Sequence, residues 1–173
     1  MPAPPFTRKL PVPAVAAALL AVTDQVSKSW VVHGILPYEV KTVVPGFFDL
    51  IHVRNPGVAF SLLAGFDGRW VRPLLMAVTV LAIAGLFAFA RFLSGKQAGL
   101  WGLGLVIGGA IGNLIDRARL GFVIDFIDLY LGRFHWPTFN VADIGISIGV
   151  LLLAVDMMSG NEGRDASRPA ADR

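Results

Sequence analysis

Asp143 stands in the stretch FNVADIGISIG, residues 139–149, just inside what reads as an apolar helix. Asp116, Asp125 and Asp128 lie in NLIDRARLGFVIDFIDLY, residues 113–130, and Asp24 lies in TDQVSK, residues 23–28. Asp125 and Asp128 sit between apolar residues, where poor solvation raises the pKa of a carboxylate. Two carboxylates held close together cannot both ionise easily, so they share a proton. One of them then takes a proton from water while the other gives one to a scissile amide. That is general acid–base hydrolysis with no covalent intermediate, and the pair titrates as a unit. The same residue types also suit a proton or ion path through a transporter. Spacing leaves both chemistries open. It also leaves open which of Asp116, Asp125 and Asp128 meets Asp143, although Asp116, directly before Arg117, reads as a structural anion.

Other chemistries have less behind them. Asp24 and Lys28 are four residues apart on one helical face, which predicts an ion pair near the end of a first helix. Ser27 and Lys28 are adjacent, but helical neighbours point about 100° apart and do not face each other. Ser61, in AFSLL, meets a lysine only if tertiary folding brings one to it. His33, His52 and His135 are scattered and no HExxH is present, so metal hydrolysis has no ligand set. The chain has no Cys, which removes disulfides, thiolate ligands and a thiol nucleophile together.

Such carboxylates must be positioned by something, and the composition says what. Of the 173 residues, 55% are hydrophobic and 16% charged, against about 25% charged in soluble domains. Lysine and arginine are spread along the chain, which gives nucleic-acid binding no support. Four apolar stretches cover residues 10–32, 73–90, 99–115 and 141–158. Each is near the roughly 20 residues of helix that cross a bilayer core. Arg8 and Lys9 ahead of the first stretch resemble the start of a secretory signal peptide. No clear cleavage site follows, and the helical pattern runs on past Asp24, so an uncleaved first span is expected.

Four spans put both termini and the short loop 91–98 on one side, and the longer loops 33–72 and 116–140 on the other. The first group carries seven Lys and Arg, at 8, 9, 91, 96, 164, 168 and 173. The second also carries seven, at 41, 54, 69, 72, 117, 119 and 133. The positive-inside rule therefore does not orient the chain by count. Placing Arg8, Lys9, Arg91 and Lys96 inside is the arrangement we adopt. In the first long loop, KTVVPGFFDLIHVRN is rich in β-branched and aromatic residues and NPG marks a turn, which predicts a small sheet on the membrane face. VAFSLLAGF after it predicts a short interfacial helix, and GFDG, residues 65–68, a turn. Gly104, Gly108 and Gly112 in the third span, with Gly145 and Gly149 in the fourth, predict close helix packing that brings the ends of these spans together. The polar stretch 159–173 has no apolar periodicity and is expected to be a disordered tail beyond a single membrane domain, residues 1–158.

Five segments in this order resemble the bacterial lipoprotein signal peptidases, the type II signal peptidases. They are TDQVSK, RNPGVAFSLL, GGAIGNLIDR, VIDF and FNVADIGI, and the resemblance covers about residues 15–158. It implies an all-α membrane protein of four transmembrane helices, with a small extracytoplasmic β-rich cradle and a short interfacial helix. It implies an aspartic endopeptidase whose dyad is Asp125 and Asp143, with Asp116 and Asp128 in support. Asp24, Lys28, Asn55, Gly109, Asn113, Arg117, Asn140 and Ala142 match the family's other motif positions. Of these, Asn55, Asn113, Arg117 and Asn140 would line the site and bind substrate backbone or lipid. Pro56 stands where relatives carry Thr or another residue, and it should stiffen the turn. The implied substrate is a prolipoprotein whose signal peptide precedes a diacylglyceryl-modified Cys, reached through membrane lipid. Cyclic peptide antibiotics are the implied inhibitors, and no metal or cofactor is implied. The implied location is the bacterial inner membrane, with cytoplasmic termini and the site near the outer face.

Overall fold

A computed structural model describes residues 11–57, 68–93 and 96–165. Four helices, α1 (Pro11–Gly34), α2 (Gly68–Phe89), α3 (Gln97–Arg119) and α4 (Val141–Asp165), alternate with four short strands, β1 (Val40–Val44), β2 (Phe48–Asn55), β3 (Val123–Leu131) and β4 (Phe134–His135). All four helices contain segments long and apolar enough to cross a membrane: Val12–Gly34, Trp70–Phe92, Gln97–Arg119 and Val141–Ser159. The protein is a multi-pass membrane protein with a small antiparallel sheet.

Helix α3 is central, packed against α1, α4 and α2. In its span 56% of the residues are buried, whereas in that of α2 only 6% are, so α2 lies at the periphery of the bundle. Small residues set this packing, because helices in lipid associate through close backbone contact rather than a hydrophobic drive. The division of labour among the glycines differs from the expected one. Gly104 and Gly108 face α1, where an added Cβ would stand 2.5 Å from the Pro13 and Ala17 carbonyls. Helix α4 instead meets α3 at Gly102, opposite Gly149, and at Gly109, opposite Ala142. At 3.6 residues per turn a single helix offers two such stripes, and the expected i, i+4 ladder is the one turned to α1.

Helix α2 begins before Pro73 rather than at it, with Pro73 inside the helix near its start. Membrane helices tolerate such a proline where neighbours satisfy the freed backbone. Helix α3 ends as Gly121, at φ +87°, donates its N–H to the Arg117 carbonyl at 3.2 Å, an αL cap that suits glycine. The Arg72 side chain donates to the Ala118 carbonyl at 2.7 Å, placing a cation at the helix's negative end. Helix α4 continues past Met158 to Asp165, into the segment expected to be a tail; residues 166–173 lie outside the described residues. The predicted interfacial helix, residues 58–66, and most of the GFDG turn also lie outside them.

The sheet has the order β1-β2-β3-β4, antiparallel throughout. The first long loop supplies β1 and β2, as its composition predicts. The second supplies β3 and β4, which its carboxylates had obscured. Pro45 and Gly46 (φ +80°) turn β1 into β2, with the Phe47 N–H donating to the Val44 carbonyl at 3.1 Å, the type II arrangement. The sheet docks on the end of the bundle through Val31 of α1 and Ile35 just after it, packed against Ile124 and Phe126 of β3. Beside β3, the Phe139 carbonyl accepts the N–H groups of Phe126 and Ile127 at 3.0 and 2.9 Å. This seam draws the start of α4 alongside Asp125.

Candidate active site

Asn140 and Asp143 form a reciprocal cap on α4. The Asp143 N–H donates to Asn140 Oδ1 at 3.1 Å, and the Asn140 N–H donates to Asp143 Oδ2 at 3.2 Å. This is the capping-box geometry, with an aspartate at the third helical position. The carboxylate is therefore held by the same bonds that start the helix, in the first turn, where the backbone dipole favours negative charge. The Asn140 side chain then reaches across the seam, donating from Nδ2 to Asp125 Oδ1 at 2.7 Å. The two aspartates are thus brought together, each bonded to the same asparagine.

Asp125 comes from β3, where Val53 of β2 is its cross-strand partner. Two residues further along β2, Asn55 donates from Nδ2 to Asp125 Oδ2 at 2.8 Å. Its own Oδ1 accepts the Gly57 N–H at 2.8 Å. That Asx turn fixes the amide so that its donor faces the carboxylate. Gly57 has φ +87°, and a Cβ there would collide with Leu75, so the NPG sequence fits both constraints. Asp125 is 2% exposed. Burial, opposed in part by the Asn55 bond and reinforced by the neighbouring Asp143 charge, pushes its pKa up to about 6.

Asp143 takes a further bond from Asn113 Nδ2 at 2.9 Å. Asn113 Oδ1 accepts from Lys28 Nζ at 2.9 Å and from Asn140 Nδ2 at 3.2 Å. Lys28 is 3% exposed and pairs with Asp24 at 2.8 Å and with Asp116 at 2.9 Å. The i, i+4 pair expected from the sequence is present. Asp116 is a structural anion, as expected, but its cation is Lys28 of α1 and not the adjacent Arg117. Asp24 also accepts the Ala142 N–H at 2.9 Å, satisfying another free donor at the start of α4. A Cβ on Gly109 would lie 2.5 Å from the Ala142 carbonyl. Gly109 and Ala142 thus let α4 press between α1 and α3 and carry Asp143 into place.

Arg117 donates weakly to the Asn113 carbonyl at 3.5 Å and lies within Coulombic reach of both Asp125 and Asp143. Its Nε is buried without a hydrogen-bond partner among the described residues. Among the described residues no cation bonds directly to Asp125 or Asp143, and no three His, Cys, Asp or Glu side chains gather as metal ligands would. Asp128 is not drawn into this group. It is three residues from Asp125 on a strand, an odd offset that sends the two side chains to opposite faces, and it pairs with His135 at 2.9 Å. Beside Asp143 a cavity of about 330 Å³ is walled by Trp136, Phe139, Ile144, Ser147 and Ile148.

Residues 16–159 match the family described as signal peptidase (SPase) II. The chain belongs to this family. Among curated signal peptidase II relatives named lipoprotein signal peptidase, one from Oleidesulfovibrio alaskensis is 45% identical over 80% of this chain and 89% of its own length. Another, from Geobacter metallireducens, is 43% identical over 91% of this chain and 94% of its own. A solved bacterial membrane enzyme superposes with a TM-score of 0.75 at 25% identity, covering 93% of this chain and 94% of that one. A second reaches 0.72 at 27% identity, covering 84% and 91%. This signal peptidase II is therefore a membrane protease, and the transporter alternative is not favoured.

Three features of the site escaped the sequence reading. Asn140-x-x-Asp143 is a capping-box spacing and could have tied the two residues together. The odd offset between Asp125 and Asp128 could have separated them, had VIDFIDLY been read as a strand. Gln25, whose amide reaches Asp116 at 2.9 Å, carries no signal that spacing reveals.

Proposed function

We propose that this chain is an aspartyl endopeptidase that releases signal peptides from diacylglyceryl-modified prolipoproteins, cutting just before the lipidated Cys. Asp125 and Asp143 are its acid–base pair. The observation that carries this reading is Asn140, whose side chain donates to the Asp125 carboxylate and whose backbone N–H donates to that of Asp143, with no cation bonded directly to either among the described residues. Asp143, at the helix N-terminus, takes a proton from a water placed between the two. The hydroxide attacks the scissile carbonyl carbon while Asp125, whose raised pKa lets it hold the shared proton, donates to the carbonyl oxygen. Collapse of the tetrahedral intermediate then breaks the C–N bond. Asp143 passes the proton taken from water to the leaving amine while a hydroxyl of the intermediate returns a proton to Asp125, so the dyad is restored.

Asn55, Asn113 and Asn140 hold the carboxylates and offer polar edges to the substrate backbone. Arg117, with its unpartnered Nε, is the cation available to a substrate carbonyl or lipid headgroup. The apolar cavity beside Asp143 suits a chain arriving from the bilayer, so remote binding of lipid can orient the scissile bond. In this reading the sheet is an extracytoplasmic cradle, completed by an interfacial helix. The termini lie in the cytoplasm and the site at the outer face of a bacterial inner membrane. Cyclic peptides that mimic the bound substrate would inhibit by occupying the dyad. The test is cleavage of a purified precursor with and without its diacylglyceryl group, with product masses measured. We expect cleavage before Cys only when the lipid is present; equal cleavage of both forms would overturn the substrate assignment.

A further inference from the structure

Gln25 lies on α1 between the two members of the Asp24–Lys28 pair, half-buried. Its Nε2 donates to Asp116 Oδ1 at 2.9 Å and to the Gly112 carbonyl at 3.1 Å, with Asp24 Oδ2 at 3.4 Å. All three neighbours are acceptors, so only one orientation of the amide fits. Asp116 in turn serves both halves of the dyad. Its Oδ2 accepts the Ile124 N–H at 3.2 Å, one residue before Asp125. The same atom pairs with Lys28, whose bond to Asn113 Oδ1 leaves Asn113 Nδ2 for Asp143. Asn113 Oδ1 also accepts from Asn140 Nδ2 at 3.2 Å, so Lys28 and Asn140 together keep the amide's donor turned to Asp143.

We infer that Gln25 is a positioning residue for the hydrolytic step, acting through Asp116 on Asp125 and Asp143 together. This rests on the reading that those two aspartates perform the cleavage. Gln25 itself lines a separate cavity of about 140 Å³ with Lys28, Ser29, His33, Asp116 and Arg119, among others, and neither dyad aspartate is in that lining. It therefore shapes the reaction without touching substrate. The charged and titratable groups around it are Asp24, Lys28 and His33 of α1 and Asp116 and Arg119 of α3, with Asp143 of α4 beyond Asn113. Two anions already face one buried cation here. A third anion in place of the amide would repel Asp116 and Asp24, whereas the protonated acid copies the amide's shape and can donate as it does.

The experiment measures kcat and KM on a diacylglyceryl-modified precursor between pH 5.5 and 8 for wild type, Gln25→Met and Gln25→Glu. Gln25→Met should lower kcat about tenfold with KM within about twofold, the mark of misplaced catalytic groups. Gln25→Glu should lose more at pH 8 and recover at least about fivefold relative to wild type at pH 5.5, as its introduced carboxylate protonates. Wild-type kcat in Gln25→Met, or a Gln25→Glu to wild-type ratio that stays constant with pH, overturns the inference. The Gln25→Glu ratio decides alone if Gln25→Met does not fold. Asp125→Asn and Asp143→Asn in the same assay test the reading beneath. If they are inactive while the Gln25 variants follow wild type, only the inference falls.

Discussion

Two carboxylate pairs lie within a few residues of each other at one end of this bundle, and they are built in opposite ways. Asp24 and Asp116 share the Lys28 ammonium, with bonds of 2.8 and 2.9 Å. Among the described residues, Asp125 and Asp143 accept hydrogen bonds from asparagine N–H groups and from no cation. A buried cation between two anions ties both to one helix by direct ion pairs. Neutral amides bring no compensating charge, and in the proposed mechanism that pair shares a proton. The same residue type thus holds the structure in one pair and is poised for chemistry in the other. The difference lies in what stands between the oxygens.

The largest effect should come from Asp125→Asn and Asp143→Asn, made singly. Each should lower cleavage of a lipidated precursor by about a thousandfold or more, since a general acid–base partner typically supplies 10²–10⁴. The variants should still fold and bind precursor. Near wild-type turnover by either would erase the distinction between the pairs.

Lys28→Met tests the other pair. It leaves Asp24 and Asp116 buried without their cation, and breaking such a pair costs about 3–5 kcal/mol. Thermal unfolding in detergent should show a large drop in Tm, with activity lost through instability. An unchanged Tm would mean the ammonium does not hold this end together.

Asn55→Ala removes one of the two amide donors on Asp125. A hydrogen bond to a charged group is worth about 1.5–3 kcal/mol, so kcat should fall by ten- to a hundredfold. A fall confined to KM would assign Asn55 to substrate binding alone. The smallest effect belongs to Asp128→Asn, which should stay within about threefold of wild type in kcat, because its partner is His135 on the other face of β3. Abolished cleavage there would move the dyad.

The four spans were legible because lipid demands long apolar helices, and lengths near 20 residues cannot hide. The Asp24–Lys28 pair was legible because four residues of helix close it. The sheet was half legible. KTVVPGFFDLIHVRN advertises strands, whereas β3 is buried on both faces and carries two aspartates, so it shows no clean alternation. The partner of Asp143 could not be read from spacing, because it is chosen by the seam between Phe139 and β3, a long-range pairing. The glycines announced close packing, but which neighbour each stripe meets depends on helix rotation, which sequence period alone does not set.

Burial also gives Asp125 a signature in stability. Its pKa rises from 3.8 to about 6 on folding, so the folded protein holds the proton more tightly than the unfolded chain. The stabilisation is full below pH 3.8 and is lost as pH rises through about 6, on the order of 2–3 kcal/mol. Asp125→Asn should therefore gain thermal stability relative to wild type as pH is raised from 4.5 to 7.5.

The most direct test of proton sharing is the pH dependence of kcat/KM for wild type, on a lipidated precursor with no group titrating near the cleavage site. The proposed mechanism needs a proton on Asp125, so kcat/KM should fall on the alkaline side with an apparent pKa near 6. A flat profile from pH 5 to 8 would show that no proton is shared by Asp125 and Asp143 in the working enzyme.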